Sequence, residues 1–434
     1  MSLNNLEHCK LTIYPQARLT QLPIQDIDFP SSFAADFVSE FVKACELDNA
    51  GSEIYHSWKV CIMACRIGRK LNFDRNSMKE LFFASLLHDI GGVMVGGHVI
   101  DLLTQIPDVY GQKSNFRIFV HPHRGETILG TFPTFRNISE IVGTHHEFFD
   151  GTGFPKGLKG NKIPICSRII RVVDAVDIAS KVHSAEDPDE LISLLGIFSG
   201  EEFDPEIYEI FVDLVKNEAL FEAVKTAEAV EANMAELKKE MTDHYFLSSP
   251  DTLNRFFKMV ASITDNLTSS EYNHSLRVAE LSVQIAYLMK LDESEILTIR
   301  WASFLHDIGK LAGNRSVYRK RDKLTDDEWL NVKSHPQRSY DILNKVAGMD
   351  KIAYYALYHH ENQDGSGYPE GLKGEKIPLA SRIMHVADAY DAITSNRPYH
   401  RKKQQEEALG ELKKNVGKQF DPNVVEVFSK FLIS

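Results

Sequence analysis

The chain contains its own copy, and this constrains its fold more than any other feature. Phe83-Ala-Ser-Leu-Leu-His-Asp-Ile-Gly91 returns as Trp301-Ala-Ser-Phe-Leu-His-Asp-Ile-Gly309, and Gly151-Thr-Gly-Phe-Pro-Lys-Gly-Leu-Lys-Gly160 returns as Gly365-Ser-Gly-Tyr-Pro-Glu-Gly-Leu-Lys-Gly374. The offset is 218 for the pairs 56/274 and 88/306, and 214 for 121/335, 145/359 and 174/388. One loop, between His88 and His121, therefore accounts for the change in length. Phe203-Asp204-Pro205 and Phe420-Asp421-Pro422 close the two units. A repeat of this length implies one architecture built twice, and 434 residues exceed what a single core usually serves.

Apolar residues recur at i, i+3, i+4 and i+7 around His56, His88, His145, Ala261, His274, His306 and His359, whereas strand-like alternation is scarce. The expected fold is all-α: two helical bundle domains in tandem, joined by a helical linker. The expected boundaries are 1–205, a connecting helix over 206–250 with its apolar stripe at Leu220, Phe221, Val224, Ala227, Val230, Met234 and Leu237, and 251–434. The Gly-x-Gly loops are the places where short strands or hairpins are expected.

A net charge of −12 argues against a duplex DNA binder, which needs a basic surface to release counterions, but leaves room for a small anionic ligand in a local basic pocket. No segment reads as a signal peptide or as the roughly 20 apolar residues of a membrane span, so the expected location is cytoplasmic. Cys9, Cys45, Cys61, Cys65 and Cys166 form no disulfide framework. Cys61 and Cys65 stand at helical i,i+4 spacing, but with no second pair to complete a metal site they read as buried thiols.

Candidate metal ligands cluster in the second unit: His274, the pair His306-Asp307, His335, the pair His359-His360, and Asp388. Imidazole and carboxylate suit Mn, Fe or Zn, and seven such residues suit two ions better than one. Two ions would answer the problem of a phosphodiester, whose charge repels nucleophiles, by activating a bridging water and neutralising the oxygens of attack and departure. Asp307, beside His306 on a helix, is the candidate bridge. Packing alone explains this set poorly, because burying so many ionisable groups without a partner is costly. His8, His98, His123, His183, His244 and His385 lack such support and read as ordinary histidines.

These residues resemble the HD-GYP phosphodiesterases, a branch of the HD superfamily of metal-dependent phosphohydrolases. The likeness covers roughly 251–434 and rests on His306-Asp307-Ile308-Gly309-Lys310, His335-Pro336, His359-His360-Glu361, Gly367-Tyr368-Pro369 and Asp388-Ala389-Tyr390-Asp391-Ala392, in the family's order. It implies a helical bundle, a bi- or trinuclear iron or manganese site, and a bacterial signalling enzyme that hydrolyses c-di-GMP or 3′3′-cGAMP to a linear dinucleotide. By the same resemblance His274, His306, Asp307 and Asp388 hold one ion, Asp307 bridges, and His335, His359 and His360 hold the other. Lys310 is expected on the scissile phosphate, with Tyr368, Arg397 and His400 lining the groove and Arg401-Lys402-Lys403 adding positive charge. Trinuclear members carry a glutamate four residues before the first histidine. Ser270 stands there, and Glu271 would point about 100° around the helix, so two ions are expected rather than three. Ser52 is its counterpart in the first unit.

The first unit keeps a ligand set for a second metal site: His56, His88, Asp89, His121, His145, His146 and Asp174. Its substrate contacts are gone. Gly92 stands where Lys310 stands, Lys181-Val182-His183-Ser184 replaces Ser395-Asn-Arg-Pro-Tyr-His400, and Phe154 replaces Tyr368. The expectation is a degenerate domain with a regulatory or structural role. The bare HD constellation also serves nucleotidases and (p)ppGpp hydrolases, and a receptor that binds a cyclic dinucleotide without cleaving it is a further reading. A homodimer is compatible with the sequence.

Overall fold

The computed structural model describes residues 29–46, 55–93, 116–182, 187–242, 250–268, 273–320, 322–395 and 403–433. Among these residues the chain is all-α, with no β-strand, and divides into two compact units. One comprises 31–46 and 53–245, the other 1–30, 47–52 and 246–434.

The first unit contains α1 (Phe33–Glu46), α2 (His56–Lys70), α3 (Arg75–Leu87), the single turn α4 (Ile90–Val93), α5 (Phe116–Gly130), α6 (Arg136–Gly143), α7 (Ile165–Val182), α8 (Pro188–Gly196), α9 (Pro205–Glu218) and α10 (Ala227–Glu240). The second contains α11 (Pro250–Thr268), α12 (His274–Leu288), α13 (Glu293–Leu305), α14 (Asp326–Lys333), α15 (His335–Leu343), α16 (Asp350–Leu357), α17 (Leu379–Thr394), α18 (Gln405–Lys414) and α19 (Pro422–Ile433). The repeat is thus carried into structure: α2 and α12 both begin at the first candidate histidine, and α3 and α13 both end one residue before the His-Asp pair.

The same start signals serve both copies. Asp74 and Asp292 accept from Ser77 N and Glu295 N at the head of α3 and α13. Asp204 and Asp421 of the Phe-Asp-Pro motif cap α9 and α19, and each also pairs with an arginine of the preceding long helix, Arg168 and Arg382. That explains a motif with no catalytic reading.

Three expectations need correction. The segment 206–250 is no single connecting helix. Its described part is α9, a 3₁₀ turn Phe221–Ala223 and α10, broken at Ala219, whose φ is +49°. The apolar stripe is the cause: Leu220, Val224, Val230, Met234 and Leu237 are buried in the first unit, where α9 and α10 pack on α2. At the other end, Phe29 and Pro30 belong with the second unit, and the Phe29 ring lies 6.0 Å from that of Trp301. The Gly-x-Gly loops form no strand or hairpin. They pair by two backbone hydrogen bonds with the turn before α9 or α19, Phe149 N to Glu202 O and Asp150 N to Glu201 O in one unit, Gln363 N to Gln419 O and Asp364 N to Lys418 O in the other. Cys45, Cys61, Cys65 and Cys166 are buried, as expected for the cysteines of an apolar core; Cys9 lies outside the described residues.

Candidate metal centres

In the second unit the seven expected ligands converge. His306 caps the end of α13 and Asp307 lies just beyond it rather than on the helix, starting the 3₁₀ turn Ile308–Lys310. Gly309 permits this. A Cβ there would stand 2.2 Å from His335 O and 2.4 Å from Ser339 N, so only glycine lets the His-Asp turn meet the backbone of α15. Gly91 would meet His121 O at 2.1 Å in the other unit. His274 heads α12, His359 and His360 follow the end of α16, and Asp388 projects from α17. His359, His306, His335 and Asp307 are at most 3% exposed, whereas His360 and Asp388 are partly exposed and mark the open side.

The helix ends also fix the imidazole tautomers. The last carbonyls of a helix have no intrahelical donor, and His306 Nδ1 donates to Ser303 O at 2.8 Å while His359 Nδ1 donates to Ala356 O at 2.6 Å. Pro336 has no N–H for Val332 O, and His335 Nδ1 takes that carbonyl at 2.7 Å. Asp391, one turn after Asp388, holds His274 Nδ1 at 2.7 Å. With Nδ1 carrying the proton on His306, His335 and His359, the Nε2 of each of these three presents a lone pair to the centre. His335 Nε2 and His359 Nε2 then face each other at 3.2 Å with no proton between them. Asp307 Oδ1 lies 3.2 Å from His335 Nε2 yet is buried without an aligned donor, and His274 Nε2 lies 3.3 Å from Asp388 Oδ1. Lone pairs aimed at one another are the geometry of ligands that a cation separates, so the residues fit a metal centre. The groups His335-His359-His360, His274-His306-Asp388 and His306-Asp307-His359 each bring their ligand atoms within 4.8 Å of one another.

The electrostatics agree. Burial, reinforced by the neighbouring imidazoles, holds His359 and His360 well below the usual histidine range, and burial lowers His335. These rings are neutral, as ligation requires. Against its burial, His274 is raised by its contacts with Asp388 and Asp391. Lys310 forms an ion pair with Asp307 and sits 5.5 Å over the Tyr318 ring; that pairing outweighs burial and raises the ammonium. Burial pushes the Tyr318 phenol up to about 12, and its Oη has no hydrogen-bond partner among the described residues. Glu361, third in His-His-Glu, accepts from Glu370 N and Gly371 N, so it ties down the Gly-x-Gly loop. Gly367 of that loop has no room for a Cβ, which would lie 2.2 Å from Asn362 N. Tyr368 lies 5.0 Å from the His360 ring, and Lys333 sits 5.8 Å over Tyr368.

The first unit repeats the centre with altered surroundings. His56 Nδ1 is held by Asp177 at 2.7 Å and His88 Nδ1 by Ser85 O at 2.8 Å, so their Nε2 atoms converge at 3.2 Å, with Asp174 Oδ1 3.3 Å from His56 Nε2. Despite burial, Asp174 and Asp177 hold His56 up at about 10. His121 Nε2 is 3.1 Å from His145 Nε2 and 3.2 Å from Asp89 Oδ1. Arg171 reaches His146 Nδ1 at 3.2 Å, Asp174 Oδ2 at 2.8 Å and Glu202. Phe154 stacks on His146 at 4.9 Å and touches Phe119 at 4.7 Å.

Sequence reasoning missed four residues at these centres. Asp391 and Asp177 were legible as an Asp-x-x-Asp spacing present in both copies. Lys333 had a weaker signal, two residues before His335, and Tyr318 had none. His385, read as ordinary, is buried beside His360 with ring centroids 6.0 Å apart, because it sits one helical turn before Asp388 on the inner face of α17. His123 is exposed. Arg397, His400, Arg401, Lys402, Ser270, Glu271, Ser52, His8, His98, His183 and His244 lie outside the described residues, and Lys403 pairs with Glu411.

The family model for the HD domain matches residues 47–207 and 256–424. The chain is 27% identical over 423 residues to 3′3′-cGAMP-specific phosphodiesterase 3 of Vibrio cholerae, covering 87% of this chain and 90% of that protein. A cyclic di-GMP phosphodiesterase of Thermotoga maritima is 35% identical over 196 residues, 45% of this chain and 53% of that one. The crystal structure of a cyclic GMP-AMP specific phosphodiesterase of V. cholerae shares the fold with a TM-score of 0.60 and 24% identity, covering 92% and 97% of the two chains. Among the described residues no helix is long and apolar enough to cross a membrane. With the repeat, the duplicated His-Asp turns and the matched model in hand, the chain belongs to the HD domain family, in its HD-GYP type, with the domain present twice.

Proposed function

We propose that the second unit is a metal-dependent phosphodiesterase that opens one 3′,5′-phosphodiester of a cyclic dinucleotide, c-di-GMP or 3′3′-cGAMP, to give the linear dinucleotide. The observation that carries this reading is the pair of unprotonated nitrogens, His335 Nε2 and His359 Nε2, 3.2 Å apart beside Asp307 with an ammonium next to it. Two divalent ions, iron or manganese, suit this donor set: His274, His306 and Asp388 for one, His335, His359 and His360 for the other, with Asp307 between them. Bound there, the ions supply a nucleophile from water at neutral pH and offset the charge of the phosphodiester.

The remaining work falls to side chains of this unit. Asp307 Oδ2 serves either Lys310 or an ion, so metal loading frees the Lys310 ammonium for a phosphate oxygen. Tyr368 and Lys333 form a wall beside His360, an aromatic face with a cation over it, suited to a base and its phosphate. Arg397 and His400 are further candidate contacts for the dinucleotide, on the family resemblance alone. The first unit, with Gly92, Phe119 and Phe154 at the matching positions, takes a regulatory or structural role.

The test is incubation of the purified full chain, loaded with Mn or Fe, with c-di-GMP and 3′3′-cGAMP, followed by chromatography of the products. Linear dinucleotide is expected. Binding without cleavage would instead make the chain a receptor, and cleavage of neither ligand alongside turnover of (p)ppGpp or a nucleoside monophosphate would move it to another branch of HD chemistry.

A further inference from the structure

After the His-Asp turn of the second unit the chain is pinned on two flanks, and the pinning brings one phenol to the Lys310 ammonium. Asn314 caps the 3₁₀ turn Arg315–Arg319, its Oδ1 accepting from Ser316 N at 3.1 Å. Val317 is buried beneath the turn, and Arg319 donates to Asn266 O near the end of α11. On the other flank Asn331 of α14 donates to Asn314 O and accepts from Arg338 Nη1 at 2.9 Å. That guanidinium fills the space beside Gly313, where a Cβ would lie 2.0 Å from Nη1. Tyr318, the fourth residue of the turn, is thereby held with its ring centroid 5.5 Å from Lys310 Nζ. It also interacts electrostatically with Asp307, Arg338 and the Tyr368 phenol, so it lies on the side of the centre where Lys310 and Tyr368 stand.

The Tyr318 hydroxyl oxygen is buried and has no hydrogen-bond partner among the described residues. Buried polar groups are nearly always paired, because a stranded donor bears the cost of leaving water and recovers nothing. Packing does not account for this hydroxyl. The ring alone fills the space and offers its face to the ammonium, and a phenylalanine would supply both. A phenol is protonated at neutral pH and can donate its O–H. Beside an ammonium, the acceptor that suits it is an oxygen carrying negative charge.

We infer that the Tyr318 hydroxyl is a substrate contact, donating to a non-bridging oxygen of the same phosphate that Lys310 engages. The phosphate is then held on two of its oxygens, by an ammonium and by a neutral donor. Both are fixed before the ligand arrives, so both strengthen as charge builds on those oxygens during attack. This rests on the phosphodiesterase reading of the second unit and adds to it a contact that no charge marks in the sequence.

Tyr318→Phe removes the hydroxyl and leaves the ring beside Lys310. The full chain, loaded with Mn²⁺, is compared with wild type in three measurements. Thermal melting without ligand is expected to be unchanged or higher, because no hydrogen bond within the fold is lost. The kcat/KM for the cyclic dinucleotide is expected to fall roughly ten- to a hundredfold, the span of a hydrogen bond to a charged acceptor. Inorganic phosphate, titrated by calorimetry, is expected to bind roughly tenfold more weakly on the same ground. Wild-type kinetics together with wild-type phosphate affinity overturn the contact. A melting temperature several degrees lower also overturns it, since the hydroxyl would then be paired within the fold. If wild type cleaves no cyclic dinucleotide and the variant still binds phosphate more weakly, the substrate reading fails and the phosphate contact stands. If wild type and variant cleave alike, the contact fails and the substrate reading stands.

Discussion

Around Asp307 stand an ammonium at Lys310, a second at Lys333 and the phenol of Tyr368; around Asp89 the same positions carry Gly92, Phe119 and Phe154. The backbones are alike. Both His-Asp pairs close a helix, both glycines that follow admit the next helix at backbone contact, and both first histidines are held by a carboxylate one turn beyond the last ligand. The candidate ligand positions are therefore set by helix ends and close packing, which the fold itself requires. Groups that face a substrate are set by side chains at the rim, where an ammonium, a phenyl ring or no side chain fits equally well. Two centres can thus share a scaffold and differ in the charge they offer an anion.

The largest separation is expected at the carboxylate itself. Asp307→Ala removes the group between the two ion sites and should leave no detectable hydrolysis by chromatography, whereas Asp89→Ala should leave most of it. An inactive but folded Asp89→Ala chain would mean that the first centre takes part in turnover, and the division of labour drawn here would fail.

Next comes Lys310. Replacing it with Met keeps the length of the side chain and removes its charge, making the second centre resemble Gly92 in electrostatics alone. A preorganised charge on a developing anion is worth roughly 10²–10³ in kcat. Lys310→Met is expected to lose that much while retaining its metal. A loss of metal with the activity would show that Lys310 acts by orienting Asp307 and not by meeting the phosphate.

A milder loss is expected at Lys333, where the first unit has Phe119. A hydrogen bond to a charged group contributes about 1.5–3 kcal/mol, so Lys333→Phe should reduce kcat/KM by roughly ten- to a hundredfold, chiefly through KM. An unchanged KM would remove Lys333 from the groove.

How far this was legible in the sequence follows from the same division. The repeat and the helical periodicity imply two all-α units, and ligands duplicated at fixed offsets mark the centre, because those residues are tied to the backbone. The supposed linker misled because an apolar stripe at helical spacing says that a segment is covered without saying by what; Leu220, Val230 and Met234 are covered by the first unit's own core. His385 misled for a related reason. It belongs to no adjacent pair, and its place beside His360 comes from the inner face of a helix that only the fold brings to the centre. Asp391 carried a readable signal in its spacing, but a residue that touches a candidate ligand from behind looks like any buried carboxylate until the contact with His274 is seen.

The smallest effect expected is at Tyr368, the residue for which the Gly-Tyr-Pro motif is known, replaced in the first unit by Phe154. Burial raises the phenol well above the ordinary tyrosine range, so it stays protonated at any working pH and acts only as a neutral donor. The ring remains in Phe, and with it the packing against His360. Only one neutral hydrogen bond is lost, about 0.5–1.5 kcal/mol, so Tyr368→Phe should lower kcat/KM roughly two- to tenfold with metal content unchanged. A loss beyond a hundredfold would reverse the ranking: the phenol would then outweigh Lys333, and the single exchange of Tyr for Phe would go far toward silencing the first centre without any appeal to its missing cations.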